Sequence, residues 1–311
     1  MTRKKLRVLI CGLGSIGTRH ARILKENFSF ELGALRFSGK GNDLGLREFY
    51  SWGEAAQFVP DIVFVTNATG AHIPAAWRAA QLGAAIFLEK PVSDSMQGVA
   101  RLEQLCRKQQ VCYVAYPLRF LPVVQQAKKF LEGKKILYGR AVCASYLPDW
   151  RPGRDPRQCY SAVCALGGGV ILDLSHEFDT MTYLMGPVVD IHGIKGRALD
   201  ITLDAEDFAD ALMTFKNGVY ASVHIDFMSR KVERAFHIDF DGGYVDGDLI
   251  GNTLKLVDGR KTRVLALPSE RDEYLLAQTR YFLKNLRNPA LMNNLSEAKI
   301  LFQQIIRFRN S

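Results

Sequence analysis

No apolar stretch in the 311-residue chain approaches the roughly 18 residues that would span a bilayer, so no membrane partner is expected. The six cysteines (Cys11, Cys106, Cys112, Cys143, Cys159 and Cys164) include no CxxC pair and have no histidine partner at zinc spacing. That leaves neither a metal centre nor a disulfide framework, and implies reduced, buried thiols in a cytoplasmic protein. Although the formal charge is +9, no basic stripe interleaved with aromatics occurs. Nucleic acid is therefore not an expected partner, and an anionic cofactor or substrate suffices to account for the bias. There is no internal repeat and no low-complexity segment. The basic start, Met1 to Lys5, is followed by an apolar run only from Leu6 to about Leu13 and no small-residue cleavage site. It reads as a strand rather than a signal peptide.

What is present is ordinary globular composition, 48% hydrophobic and 23% charged, with length enough for two domains. Leu6–Cys11, a strand near Phe30–Arg36, Asp61–Thr66, Ala85–Glu89 and Val111–Tyr116 are short, nearly all-apolar runs. Helical patterns separate several of them: Ile16–Glu26, Ile73–Leu82 and Ser93–Gln109. This alternation predicts an α/β fold, an N-terminal Rossmann doubly wound parallel sheet over residues 1–117. After a helix near Pro122–Glu132 the rhythm changes. Leu137–Leu147, Ala209–Phe215, Val219–Phe227, Arg234–Phe240 and Thr253–Leu256 read as strands, several separated by turns such as Lys216-Asn217-Gly218. They predict an antiparallel meander in an α+β domain over 118–269. Helices over Glu270–Leu286 and Ser296–Phe308 are expected to pack back from 270–311.

Gly12-Leu13-Gly14-Ser15-Ile16-Gly17 follows the first strand and opens a helix, the context in which a GxGxxG run acquires meaning. Gly12 permits the tight turn, Gly14 lets backbone approach a pyrophosphate, and Gly17 lets the helix pack on the sheet. Ser15 and Ile16 would offer helix-terminal N–H groups to the phosphates. The second strand lacks the Asp or Glu that binds a ribose 2′-hydroxyl, and Arg36 stands in its place. Arginine suits a 2′-phosphate, so NADP is favoured over NAD.

Glu89-Lys90-Pro91, directly after a buried strand, puts an ammonium where the cofactor's reactive ring would lie. With this motif the chain resembles the Gfo/Idh/MocA family of oxidoreductases over nearly its whole length. Thr66-Asn67-Ala68-Thr69 with His72 is similar to the family segment that touches the nicotinamide side, although Ala68 replaces the usual proline. The resemblance implies that Lys90 orients the substrate oxygen and that His176, after Gly167-Gly168-Gly169, is the general acid/base. Asp173 would accompany it, three residues ahead where four is usual; that spacing still predicts one helical face for the pair. It also implies cofactor contacts from Glu89, a substrate-side role for Arg119 in Tyr116-Pro117-Leu118-Arg119-Phe120, and often a cis peptide before Pro91. The chemistry stands independently: hydride transfer at a carbinol needs a proton moved on oxygen, which an imidazole does near neutral pH. An ammonium beside it stabilises developing alkoxide charge. His20, His192, His224 and His237 read as structural.

The loop Asp149–Arg157 carries Trp150, Arg151, Arg154 and Arg157, a plausible clamp for a sugar ring and an acid group. The expected activity is NAD(P)-dependent transfer of a hydride to or from a ring carbon of a carbohydrate, and such a clamp would favour a nucleotide-linked or acidic sugar. The alternatives are a dinucleotide-binding regulator without turnover, or a glycosidase that uses the cofactor transiently. The resemblance also implies that the meander forms a large, open, mainly antiparallel sheet with one exposed face; such a face needs a cover, so a homodimer or homotetramer through the second domain is expected.

Overall fold

The computed structural model describes residues 5–37, 41–106, 110–153 and 155–311. It comprises two compact units: residues 1–115 with 275–299, and residues 116–274 with 300–311. The chain's last segment thus divides between both units.

In the first unit, β1 (Arg7–Cys11), α1 (Ser15–Asn27), β2 (Glu31–Leu35), β3 (Arg47–Phe49), α2 (Trp52–Gln57), β4 (Ile62–Val65), α3 (His72–Gln81), β5 (Ala85–Glu89), α4 (Val99–Cys106) and β6 (Cys112–Ala115) follow one another. The strands form one parallel sheet in the order β3-β2-β1-β4-β5-β6. Helices on both faces bury its central strands completely, which is why β4 and β5 read as unbroken apolar runs. The strand β3 and helix α2 are too short for a periodic signal, and the sequence reading passed over them. α4 begins at Val99 rather than near Ser93 because Gly98 takes φ +76°, a left-handed turn that a helix cannot run through. Its expected end at Gln109 falls on 107–109, outside the described residues.

The second unit holds α5 (Pro122–Leu131), β7 (Ile136–Ala144), α6 (Val170–Asp173), α7 (Ser175–Met185), β8 (Val188–Gly196), β9 (Phe208–Phe215), β10 (Tyr220–Asp226), β11 (Glu233–Phe240), β12 (Gly243–Asp248), β13 (Thr253–Asp258) and β14 (Lys261–Ala266). Its strands form a mixed sheet ordered β14-β13-β12-β11-β7-β10-β9-β8. The expected meander is interrupted: β7 lies between β10 and β11 and runs parallel to β10. A parallel neighbour requires a long crossover, supplied by the segment between β7 and β10. Helices α5, α6 and α7 pack on one face. The strands alternate accordingly, with Ala209, Ala211, Met213 and Phe215 buried and Asp210 and Leu212 exposed.

Helices α8 (Arg271–Lys284) and α9 (Leu295–Asn310) contribute residues to both units. Within the first unit, Gln278 donates to the Tyr113 hydroxyl at 3.0 Å, and Phe282 packs 5.3 Å from Phe87. Within the second, Arg309 donates to the Gly168 carbonyl at 3.2 Å and Arg307 pairs with Asp190 at 3.1 Å.

Candidate functional site

Two groups of expected site residues fall on separate units. In the first unit the glycine turn is built as its spacing implies. Gly12 has φ +96°, and a Cβ there would lie 2.8 Å from the Asn67 backbone. At Gly17 a Cβ would lie 2.0 Å from the Gly12 carbonyl oxygen, so only hydrogen fits. Gly14 is the N-cap of α1, with no side-chain cap and no acidic residue in the first turn. A cavity of about 430 Å³ opens at this helix start, lined by Leu13, Gly14, Ser15, Thr18, Arg19 and Arg22. Uncapped donors beside two guanidinium groups suit an anion, and the turn fits a dinucleotide's pyrophosphate.

Thr66 does not reach outward. Its buried hydroxyl donates to the Cys11 and Gly12 carbonyls at 3.1 and 2.7 Å, bracing the turn. Asn67 donates to Ala71 at 3.2 Å, while Ala68 is exposed at the N-terminus of the short helical turn Thr69–Ala71. His72 is buried, its ring nitrogens 2.9 and 3.1 Å from the carbonyl oxygens of Pro91 and Asn67. Desolvation holds its pKa below the ordinary imidazole value, against the pull of the Pro91 carbonyl. Glu89 is also turned inward, 6% exposed, where it accepts from His20. Lys90 follows β5 half-buried, and its peptide bond to Pro91 is cis.

Arg36 is not a solitary cation at the end of β2. Its Nη1 lies 3.0 Å from Glu48 Oε1, and Asn42 donates to the same oxygen at 2.7 Å. The Tyr50 hydroxyl donates to the other carboxylate oxygen. These bonds, Tyr50's first, hold the Glu48 carboxyl below its usual range. Glu48 escaped the sequence reading because it lies on a three-residue strand.

In the second unit α6 ends at Asp173, and α7 starts only at Ser175, with Leu174 between them at φ −96°, ψ 20°. Asp173 and His176 therefore do not share one continuous helix, contrary to the spacing argument. α6 starts after Gly169, at φ +105°, and lasts only four residues. Asp173 accepts from the Ser161 hydroxyl at 2.6 Å. His176 Nε2 lies 3.2 Å from Glu177, which Arg234 Nε also approaches at 2.7 Å. Burial raises the Glu177 pKa, but the Arg234 charge and the His176 bond outweigh it and hold it at about 2.

Arg119 is 3% exposed and bidentate on Asp179, at 2.9 and 2.7 Å. That placement gives its guanidinium to the interior of the unit, where the sequence reading had it facing substrate. Trp150 is 43% exposed, packs edge-on to Phe227 and donates to Ser145 at 3.0 Å. With Arg151, Leu147, Pro148, Asp155 and Ser161 it lines a cavity of about 440 Å³. Arg157 is held by Asp155 and Asp200 at 3.3 and 3.4 Å, and Arg154 lies outside the described residues. Among the described residues no group of three His, Cys, Asp or Glu could hold a metal ion, and no helix is long and apolar enough to cross a membrane.

Known proteins place this architecture. Residues 6–116 match the family model described as an oxidoreductase family with an NAD-binding Rossmann fold. Residues 124–246 match that of the GFO/IDH/MocA C-terminal domain. An uncharacterised oxidoreductase of Bacillus subtilis is 27% identical over 69% of this chain, the match spanning 65% of that relative's length. Myo-inositol 2-dehydrogenase of Thermotoga maritima is 26% identical, over 91% of this chain and 89% of its own. Among solved structures, UDP-N-acetylglucosamine 3-dehydrogenase from Acidithiobacillus ferrooxidans aligns with a TM-score of 0.83 at 21% identity, covering 99% of this chain and 98% of its own. Levoglucosan dehydrogenase in complex with NADH aligns at 0.85 and 17%, covering 99% and 97%. With both halves matched in sequence and the fold matched throughout, the chain belongs to the Gfo/Idh/MocA family of oxidoreductases.

Proposed function

We propose that this protein moves a hydride between a nicotinamide dinucleotide and a ring carbon of a carbohydrate. The observation that carries the reading lies in the first unit. The uncapped N-terminus of α1 and the segment bearing Lys90 both follow the carboxyl ends of strands in one parallel sheet, where open α/β sheets bind their ligands. Inositol, levoglucosan and a nucleotide-linked amino sugar, named for the relatives, support a polyol or sugar as the substrate class. When bound, the dinucleotide supplies the hydride acceptor or donor. Lys90 orients the reacting oxygen and stabilises its developing negative charge. His176 takes the hydroxyl proton in oxidation and returns it in reduction. Asp173, steadied by Ser161, assists on the substrate side. The cavity beside Trp150 receives a sugar ring against the indole, and Arg151 selects an acidic or nucleotide-linked group.

For the adenosine end, the Arg36–Glu48 pair supports NAD in place of the NADP expected from sequence. A 2′-phosphate there would meet a carboxylate whose charge is already holding Arg36, so NAD is the working cofactor. NADH and NAD⁺ in complexes of proteins with this fold support this. A homodimer or homotetramer forms through the face of the second sheet opposite its helices, where Ile194, Leu212, Tyr220 and Val264 are 65%, 46%, 56% and 65% exposed.

Mixing the protein with NAD⁺ or NADP⁺ and myo-inositol, levoglucosan or UDP-N-acetylglucosamine tests the activity. The expected result is a rise in the near-ultraviolet absorbance of reduced nicotinamide with at least one sugar, faster with NAD⁺. Cofactor binding without turnover across a broad sugar panel would overturn it. A single monomeric species of 34.9 kDa in light scattering would overturn the assembly.

A further inference from the structure

His20 lies on the inner face of α1 with no exposed surface. Its Nε2 donates to Glu89 Oε1 at 2.7 Å, and the Phe64 and Phe87 rings stand 5.5 and 5.1 Å away. The second carboxylate oxygen, Glu89 Oε2, accepts the backbone N–H of Lys90 at 3.2 Å. On the other side of the lysine, His72 Nδ1 lies 2.9 Å from the Pro91 carbonyl, and His72 Nε2 lies 3.1 Å from that of Asn67. Residues 89–91 are therefore held from two helices, by an imidazole from α1 and another from α3.

A carboxylate buried to 6% exposure is a costly way to fill a core unless its oxygens are partnered. Here one oxygen takes the His20 proton and the other takes the Lys90 amide, so the orientation of the lysine's backbone depends on the histidine. We propose that His20 is a positioning residue, which acts through Glu89 to fix the peptide from which Lys90 projects, with His72 fixing the far end. This rests on the reading of Lys90 as the group that meets the reacting oxygen. The same α1 offers its N-terminus to the pyrophosphate, so cofactor seating and lysine placement are referred to one rigid element.

The test compares His20→Phe, which fills the space without a donor, with His20→Gln, whose amide N–H can still reach Glu89. In the full-length protein, with a sugar that the wild type turns over, His20→Phe should lower kcat about 100-fold, the scale of a 1 Å misplacement. NADH affinity, read by fluorescence titration, should stay within about threefold of wild type. His20→Gln should recover kcat to within about fivefold. An unchanged kcat in His20→Phe would overturn the proposal. So would equal losses in both variants that track their melting temperatures, which is the mark of a merely structural histidine.

If the wild type binds NADH but turns over no sugar, the functional reading fails on its own, and bound NADH reports instead. His20→Phe should then shift the emission of the bound nicotinamide while His20→Gln matches wild type. Coincident emission from all three proteins would sink the inference.

Discussion

The two sheets bury their strands differently, and their candidate site residues differ in the same way. In the first unit β4 and β5 are covered on both faces, so each reads as an apolar run and the candidate site residues lie where the runs stop: Gly12 after β1, Thr66 after β4, Lys90 after β5. In the second unit the sheet is covered on one face only, and alternation spreads polar groups along every strand. His224, for instance, lies 2.8 and 2.9 Å from Asp210 and Asp226. A parallel sheet gathers function at one edge, where backbone ends are free. A one-sided mixed sheet makes polar residues common along its strands, so polarity there signals little.

The sharpest way to break this comparison is at Arg119. Removing the guanidinium in Arg119→Ala takes away the two charged hydrogen bonds to Asp179, whose side chain is 1% exposed. Chemical denaturation should register a loss of about 3–5 kcal/mol. A raised sugar KM with unchanged stability would instead return Arg119 to the substrate side.

Gly17→Ala comes next. Its Cβ meets the Gly12 carbonyl oxygen, and the clash should cost about 1–3 kcal/mol and weaken NADH binding in fluorescence titration. Equal NADH affinity would show that the glycine turn is not the phosphate site.

A smaller effect is expected on acidification. Glu177 titrates at about 2 in the folded chain against an ordinary value of 4.5. A depressed carboxyl contributes stability above its unfolded pKa and loses it as pH falls through the folded value, so the contribution fades between pH 4.5 and about 2. Glu177→Gln should flatten the acid limb of the unfolding curve over that window. An identical limb in the variant would deny Glu177 this part.

Smallest is Glu48→Gln, which should improve NADPH binding relative to NADH by about fivefold, the scale of an exposed charge interaction. No change in the ratio would remove Glu48 from cofactor choice.

Much of the first unit was legible because buried parallel strands, glycine turns and a Lys-Pro step are local signals. His20 was readable as structural, since it shares α1's inner face with Ala21 and Leu24, but its bond to Glu89, 69 residues away, has no local sign. The second unit resisted where pairing is non-local. β7 beside β10 depends on a crossover, and the helix expected to carry both Asp173 and His176 breaks at Leu174. Arg36 and Arg119 were each read as cations available to a ligand, and each is held by a carboxylate from another element.

By itself, the sequence determined most element types, the glycine turn and the oxidoreductase family, because backbone preference and hydrophobic period are written in neighbouring residues. Tertiary structure alone decided which charges are spent internally and which polar groups brace the lysine-bearing segment. A side chain's partner is chosen by packing between segments far apart in the chain, and burial makes an unpaired charge too costly to leave available.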